Sequence, residues 1–252
     1  MRLHFKTSGQ GRAVILLHGL FGSADNWHLV AQRLAERFHV FAVDQRNHGQ
    51  SPHDDEMDYP LMAADVENFF IAQKIASAFV IGHSMGGKTA MQFALQFPNR
   101  VEKLVVADMA PRAYPPAHAP IFAALLALDL PAFQTRQQIE AALAPKIPDL
   151  VLRRFLLKNL GRNDDGAFYW KMNLSGLAKN YPQLCAALSA EIPFTKPTLF
   201  LRGGKSKYIS AADEPEIFRL FPAAKIQTIA GADHWIHADA PEEFLKSVLD
   251  FL

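Results

Sequence analysis

The chain has 252 residues, half of them hydrophobic, and its 26 basic residues nearly balance its 25 acidic ones. This balance, without long runs of either sign, gives no electrostatic case for binding nucleic acid or an anionic membrane surface. The single cysteine, Cys185, excludes an internal disulfide framework, and no stretch approaches the ~18 uncharged apolar residues of a spanning helix. Length and composition therefore predict one large hydrophobic core, and we expect a soluble, cytoplasmic protein with no membrane span.

Apolar runs along the chain predict the strands of a sheet that is covered on both faces. An alternating edge strand is predicted at residues 2–6, apolar runs such as 13–17 and 78–81 predict buried strands, and further strands are predicted at 39–43, 101–107, 198–201 and 225–229. Apolar residues at helical spacing predict helices over about 26–38, 59–75, 88–97 and 241–252. Strands that alternate with helices across short connections predict an α/β fold, in which a mostly parallel central sheet is flanked by helices.

The alternation breaks after the strand that ends at Asp108. Residues 111–193 open with several prolines and show no convincing strand, while helical patches are predicted at 121–128, 136–144 and 150–160. So long an excursion within a compact fold is usually an active-site lid. We therefore expect a core of residues 1–110 and 194–252 with a helical cap at 111–193; additional helices packed on the core are the alternative.

A G-x-S-x-G pattern, Gly82-His83-Ser84-Met85-Gly86, stands between a predicted strand and a predicted helix. This context is that of a nucleophile elbow, in which a strained turn presents the serine hydroxyl above the sheet edge. Glycine is needed at both flanks because a Cβ there would clash where helix and strand pack closely. We therefore predict that Ser84 is the nucleophile.

A serine hydroxyl is a poor nucleophile at neutral pH and needs a general base within hydrogen-bond reach. In this architecture the base is a histidine after the last strand, and His234 occupies that place in a short loop before the final helix. His237 lies one turn later, and the two histidines could together be read as metal ligands. Because no third ligand accompanies them, the sequence favours a general base at His234 and no metal.

The oxyanion that forms on acyl attack needs two backbone N–H donors. Met85, directly after the nucleophile, is one candidate, and the loop after the strand at 13–17 supplies the other. Within that loop Leu20 is favoured over Phe21. The substrate pocket is expected to include four side chains: Phe21, His83, Trp170 and Trp235.

The acid that orients the histidine is the least regular part of the pattern. Many folds of this type carry it after the strand at 198–201, where this chain has Gly203-Gly204-Lys205-Ser206. Serine cannot hold an imidazolium ion by charge, so the acid must come from elsewhere. Asp108, at the end of the strand after the elbow helix, is the best-placed carboxylate, and Asp213 is the alternative. We expect replacement of Ser206 by alanine to be nearly silent.

Four motifs in these regions resemble the α/β-hydrolase family over essentially the whole chain. They are His18-Gly19, Asp44-x-Arg46-Asn47-His48-Gly49-x-Ser51-Pro52, Gly82-His83-Ser84-Met85-Gly86-Gly87-Lys88 and Gly231-x-x-His234-Trp235. The second motif, with Asn47-His48, looks like that of the small bacterial esterases of the YbfF type. The resemblance implies an α/β-hydrolase fold with a helical cap, a carboxylic-ester or thioester hydrolase that needs no cofactor, and a triad acid at Asp108.

The residues and the resemblance together predict a serine hydrolase that cleaves a small-molecule carboxylic ester, or an acyl thioester, through an acyl-enzyme intermediate. Because function is grafted onto a shared fold, a C–C bond hydrolase or a cofactor-free lyase acting on an oxo-acid is the alternative. That chemistry would require basic or polar cap residues facing Ser84, and the available basic residues are Arg136, Arg153, Arg154 and Lys158. A non-catalytic binding protein on the same fold usually lacks the nucleophile or the histidine, and both are present here.

Overall fold

The computed structural model describes all 252 residues and contains a seven-stranded main sheet and a separate two-stranded sheet. The strands are β1 (Phe5–Ser8), β2 (Ala13–Leu17), β3 (His39–Val43), β4 (Ala78–His83), β5 (Val101–Ala107), β6 (Leu160–Arg162), β7 (Phe168–Trp170), β8 (Thr198–Gly203) and β9 (Ala224–Ile229). The main sheet has the order β1-β3-β2-β4-β5-β8-β9, with β1 antiparallel to β3 and all other neighbours parallel. The predicted α/β fold with a mostly parallel sheet is confirmed.

Helices cover both faces of the main sheet. They are α1 (His28–Leu34), α2 (Tyr59–Ala72), α3 (Met85–Gln96), α4 (Ala119–Leu126), α5 (Arg136–Leu143), α6 (Leu150–Leu157), α7 (Leu174–Lys179), α8 (Tyr181–Cys185), α9 (Glu214–Leu220), α10 (Ile236–Asp239) and α11 (Pro241–Phe251). Ile15 and Leu17 of β2 belong to one buried apolar cluster, and Val14 and Leu16 belong to another. Since successive strand residues point to opposite faces, each face has its own core. None of the helices combines the length and apolar composition that crossing a membrane requires.

The segment at 111–193 lies between β5 and β8 and differs in part from its prediction. Its helices α4, α5 and α6 begin and end within three residues of the predicted ones. The expectation that this segment holds no strand is wrong, because β6 and β7 form an antiparallel pair with Leu160 opposite Trp170. Each of these strands has only 3 residues, which is too short for an alternating pattern to show in the sequence.

Backbone strain is concentrated at the edge of the sheet where the carboxyl ends of the parallel strands meet. Four of the five non-glycine residues with positive φ follow β2, β3, β4 and β5 in turn: Phe21 (61°), Asn47 (65°), Ser84 (53°) and Asp108 (50°). Such a conformation costs a non-glycine residue about 1–3 kcal/mol and persists only where the surroundings hold it. This edge is therefore the first place to look for a functional site.

Candidate active site

Ser84 occupies the sharp turn between β4 and α3, with φ 53° and ψ −118°. Two flanking glycines make the turn possible. A Cβ on Gly82 would lie 2.1 Å from the carbonyl oxygen of Gly86, and a Cβ on Gly86 would lie 2.2 Å from the carbonyl oxygen of Leu17. Strand and helix can pack this closely only with glycine at both positions, as the G-x-S-x-G pattern predicts.

His234 connects Ser84 to Asp108. Its Nε2 lies 3.0 Å from Ser84 Oγ, and its Nδ1 lies 2.8 Å from Asp108 Oδ2. Because a carboxylate only accepts hydrogen bonds, the neutral imidazole carries its proton on Nδ1 and presents Nε2 as an acceptor to the serine hydroxyl. The structure thus brings together the three residues that the sequence proposes for nucleophile, base and acid.

Asp108 is fully buried, and two further groups donate to its carboxylate. The Gly203 N–H donates to Oδ1 over 2.9 Å, and the hydroxyl of Ser206 donates to Oδ2. Ser206, which the sequence leaves without a role, therefore contacts the acid directly. Asp213, the alternative acid, is held elsewhere by Arg112, whose Nε lies 2.7 Å from its Oδ1.

Two side chains hold the His234 loop in place. The Nε2–H of His83 donates to the carbonyl oxygen of His234 over 2.9 Å. Burial keeps the pKa of His83 well below its ordinary value, so this ring is neutral. On the other side, the ring of Tyr208 stacks on the ring of His234 with centroids 3.6 Å apart and an angle of 15°.

The candidate oxyanion donors differ in whether their backbone N–H groups already donate a hydrogen bond within the chain. The N–H of Phe21 donates to Nε2 of His48 over 3.2 Å. Burial lowers the pKa of His48 to about 3, so its ring is a neutral acceptor. The N–H groups of Leu20 and Met85 donate to no acceptor in the chain. This pattern agrees with the preference for Leu20 over Phe21.

Two cavities meet at Ser84, and Leu20 and His118 also line both of them. The larger has a volume of about 310 Å³ and is mostly apolar; its lining includes Met85, Met109, Tyr181, Leu184 and Tyr208. The smaller has about 70 Å³ and is richer in polar groups; its lining includes Trp27, His83, His234, Trp235 and His237.

Three of the four predicted pocket residues, Phe21, His83 and Trp235, line the smaller cavity. The expectation for Trp170 is wrong. As the last residue of β7 it faces a surface groove shared with Leu125 and Leu126, and it lines neither cavity that contains Ser84. Pairing of β7 with β6 in a short hairpin places Trp170 at that groove.

None of the four basic residues proposed for the alternative chemistry lines either cavity at Ser84: Arg136, Arg153, Arg154 and Lys158. The cations that do line the larger cavity are Arg112, which is paired with Asp213, and Lys207. His234 directs both ring nitrogens to Ser84 and Asp108, and the chain contains no group of three or more side chains arranged to hold a metal ion.

Four further residues that contact the site are not among those predicted from the sequence: His118, Tyr181, Ser206 and Tyr208. For Ser206 a signal exists, since it stands where many relatives have their acid and keeps a polar group there. The other three show no local pattern. His118 and Tyr181 are joined by a hydrogen bond across 63 positions of the chain, which no local motif reveals.

Comparisons with known proteins identify the family. A family model described as alpha/beta hydrolase fold matches residues 12–241. The sn-1-specific diacylglycerol lipase of Xenopus tropicalis is 41% identical, covering 97% of this chain and 79% of that protein. Esterase YbfF of Escherichia coli is 39% identical, covering 95% and 92%. Among solved structures, a marine microorganism esterase matches with a TM-score of 0.98 and 44% identity, covering 100% of this chain and 99% of that one.

The chain belongs to the alpha/beta hydrolase fold family. Within that family it is an enzyme of the carboxylic-ester hydrolase type, in line with relatives and a structural neighbour that are named esterase and lipase. The resemblance in the four sequence motifs, including that to the YbfF-type esterases, is confirmed.

Proposed function

We propose that the protein hydrolyses small-molecule carboxylic esters through an acyl-enzyme formed on Ser84. One observation carries the proposal: a single imidazole, His234, is within hydrogen-bond distance of both the Ser84 hydroxyl and the buried carboxylate of Asp108. A base held in the correct tautomer beside a strained serine is the arrangement that activates a hydroxyl at neutral pH.

The proposed reaction begins when Ser84 Oγ attacks the ester carbonyl carbon while His234 Nε2 takes its proton. The carboxylate of Asp108 stabilises the imidazolium ion that forms. The new oxyanion accepts hydrogen bonds from the backbone N–H groups of Leu20 and Met85, which have no acceptor within the chain. Collapse of this intermediate breaks the bond to the leaving oxygen, which receives the proton from His234. Water then attacks the acyl-enzyme in the same way and releases the acid.

The residues that line the two cavities indicate the orientation of the bound ester. His234 lines only the smaller cavity, so the leaving oxygen that receives its proton belongs on that side. The larger cavity, of about 310 Å³, has 10 hydrophobic residues among 15, which suits a hydrocarbon chain. We infer that the acyl group occupies the larger cavity and that the alcohol leaves through the smaller one.

Residues 111–193 are proposed to form a cap over a core of residues 1–110 and 194–252. His118, Tyr181 and Leu184 from this segment line the larger cavity together with Ser84, which supports a role in selecting the acyl group. An ester is favoured over a C–C bond substrate because the four basic residues named for the latter do not line the site. Arg112, the basic residue of this segment that does line it, is paired with Asp213.

The test is an acyl-chain series of nitrophenyl esters, with matched acyl thioesters, assayed on the wild-type protein and on Ser84→Ala. Removal of the nucleophile should lower kcat by at least about 10⁴-fold, as for triad members elsewhere, and abolish labelling by a fluorophosphonate probe. Ser189→Ala, at an exposed serine of the cap, is the matched control. Retention of more than about a tenth of the activity in Ser84→Ala, with unchanged circular dichroism, would refute the proposal.

A further inference from the structure

His118 lies at the junction of the two cavities and has no role in the proposed reaction assigned so far to Ser84, His234 and Asp108. It lines both cavities together with Ser84 and Leu20. It precedes α4 and therefore belongs to the segment at 111–193 rather than to the core. Its ring is packed edge-on against Phe21, with centroids 6.1 Å apart, and against Tyr181, with centroids 5.8 Å apart. A polar ring from the segment at 111–193 is thus held where the two cavities beside Ser84 meet.

Tyr181 determines which nitrogen of this ring carries the proton. The Tyr181 hydroxyl oxygen accepts the backbone N–H of His118 over 2.9 Å, and the same oxygen lies 2.8 Å from His118 Nδ1. The hydroxyl proton can be donated to Nδ1 or to the sulfur of Cys185, which is the weaker acceptor. We therefore assign it to Nδ1, which is then unprotonated. Burial, together with the nearby His234, lowers the pKa of His118 to about 4, so the ring is neutral at neutral pH. Its single proton is therefore on Nε2.

The Nε2–H of His118 has no hydrogen-bond partner in the chain. It is not sealed inside the protein either. The buried polar side-chain atoms that lack a partner are Trp27 Nε1, Gln45 Oε1, Arg153 Nε and His237 Nδ1. This donor is consequently open to the cavities. A ligand that enters there meets one N–H group whose direction is fixed by the contact with Tyr181.

The position of the donor indicates which ester atom it meets. In the proposed orientation the carbonyl oxygen points to the N–H groups of Leu20 and Met85. The leaving oxygen joins the group in the larger cavity to the group in the smaller one, so it lies at their junction, where His118 stands. This oxygen has two lone pairs, and His234 delivers its proton to only one of them.

We propose that the Nε2–H of His118 donates a hydrogen bond to the leaving oxygen of the bound ester, so that the cap supplies a second donor opposite His234. The inference rests on the proposed acyl-enzyme function and assigns a further substrate-contacting residue to it. His118 transfers no proton in this scheme. It stabilises the negative charge that grows on the oxygen as the C–O bond breaks.

This role makes a specific prediction about leaving groups. An alkyl alcohol is a poor leaving group and gains most from a second donor, whereas a nitrophenolate leaves readily without one. His118→Phe removes the donor and keeps an aromatic ring between Phe21 and Tyr181. The ratio of kcat/KM for an ethyl ester to that for the nitrophenyl ester of the same acid should fall about tenfold, as expected for loss of one hydrogen bond to a developing charge.

Three further variants separate this role from a structural one. His118→Gln places an amide N–H near Nε2 and should restore most of the ratio. Tyr181→Phe removes the hydroxyl that keeps the His118 proton on Nε2. It should lower the ratio, but less than His118→Phe does, and should cause no additional loss when the two changes are combined. His53→Phe, at a histidine that lines neither cavity, is the matched control and should leave the ratio as in the wild type.

An equal fall on both esters, or an unchanged ratio in His118→Phe, would overturn the inference and leave His118 as a packing residue. Fluorophosphonate labelling of Ser84 in the same variants distinguishes this outcome from failure of the proposed function. If wild-type protein cleaves both esters and Ser84 is labelled while the ratio does not respond to His118, only the inference has failed. If wild-type protein cleaves neither ester, the proposed function itself has failed.

Discussion

The carboxylate of Asp108 accepts hydrogen bonds from three directions: His234, the Gly203 N–H and the Ser206 hydroxyl. Together these donors fix the orientation of the buried carboxylate. Ser206 itself is oriented by the N–H of Tyr208, which donates to its Oγ over 3.1 Å. The site thus keeps a polar group at the strand end where many relatives have the acid, and uses it to hold an acid that comes from the neighbouring strand.

Asp108→Asn should therefore lower kcat severely. An amide can turn its NH₂ toward His234 Nδ1 and favour the wrong tautomer, at a cost of up to about 10⁴ in kcat. Asp213→Asn, at a carboxylate paired with Arg112, is the matched control and should change kcat little. Steady-state kinetics on a nitrophenyl ester measures both. Equal losses in the two variants would remove Asp108 from its assigned role.

Ser206→Ala should have a moderate effect, in contrast to the near-silence expected from the sequence. It removes one of the hydrogen bonds to the Asp108 carboxylate but leaves the Gly203 N–H in place. A hydrogen bond to a charged group is worth about 1.5–3 kcal/mol, so we expect kcat to fall roughly tenfold or somewhat more. Ser206→Thr, which retains a hydroxyl, should recover part of the loss. A fully active alanine variant would restore the original expectation.

At the residue scale, predictability depends on how far apart the interacting residues lie in the chain. Ser84 is predictable because its strand, turn and helix are contiguous, and His234 because it follows the last strand. The contact of Ser206 with Asp108 spans 98 positions, and that of Tyr181 with His118 spans 63. Local patterns carry no information about such pairs, so these contacts appear only once the chain is folded.

At the scale of elements, Lys88 of α3 ties the elbow helix to both ends of the segment at 111–193. Its side chain is fully buried, and its Nζ donates to the carbonyl oxygen of Arg112 over 2.8 Å and to that of Ala186 over 2.5 Å. Burial lowers the pKa of this amine to about 8. The helix that carries Ser84 is therefore joined to the points where the segment leaves and re-enters the core.

Lys88→Met should change how stability depends on pH. Because the pKa is about 8 when folded and 10.5 as the ordinary value, the unfolded chain binds more protons between these limits. This group therefore makes the wild-type free energy of unfolding rise with pH in that window. The variant should lose this contribution. In urea unfolding, the difference in the free energy of unfolding between wild type and variant should therefore be larger at pH 10 than at pH 7.5. A deficit that is identical at both pH values would contradict the assignment.

Leu184, from α8, tests the proposed acyl cavity. Its side chain lines the larger cavity and is 7% exposed. Leu184→Phe should shift the preference toward shorter acyl chains, with kcat/KM falling about fourfold for each methylene that no longer fits, since a buried methylene is worth about 0.8 kcal/mol. Leu188→Phe changes a buried residue of the same segment that does not line the cavity. If both variants shift the preference equally, the cavity does not hold the acyl chain.

The elements themselves differ in how well the sequence predicts them, and the reason is physical. The central strands of the main sheet are mostly apolar and end in polar or glycine-containing loops, as at Ala13–Leu17, whereas the edge strands β1 and β9 mix polar and apolar residues. The short elements at 160–185 have no such pattern, because contacts with the core hold them in place. One example is the hydroxyl of Tyr59, which donates to the carbonyl oxygen of Leu184 over 2.7 Å.

On the scale of the whole molecule, the carboxyl edge of the sheet collects histidines that are kept neutral. Burial is the main cause that lowers the pKa of each of five: His18, His48, His83, His118 and His237. Four of them line the smaller cavity beside Ser84, and His48 holds the Phe21 loop. Neutral imidazoles can donate and accept hydrogen bonds without adding positive charge next to His234, which must itself become charged during the proposed reaction.

These histidines should make the fold sensitive to acid. Each has a lower pKa in the folded than in the unfolded chain, whose histidines titrate near 6.5. Below pH 6.5 the unfolded chain binds more protons, so stability is fully present above that pH and is lost as the pH falls. Each group contributes a slope of up to about 1.4 kcal/mol per pH unit. The free energy of unfolding should therefore decline steeply between pH 6.5 and 5.

His237 offers the sharpest measurement of this effect, since its Nδ1 is buried without a partner and its pKa is lowered to about 4. His237→Phe removes one titrating group and sacrifices no hydrogen bond of the Nδ1 atom. Its free energy of unfolding should fall less steeply between pH 6.5 and 5, by up to about 1.4 kcal/mol per pH unit. Phe244→Leu alters the same ring cluster, in which Phe244 and His237 lie 6.1 Å apart, but adds or removes no titrating group. That control should change the stability at every pH and keep the wild-type slope, whereas an unchanged slope in His237→Phe would show that this imidazole does not contribute to the acid sensitivity.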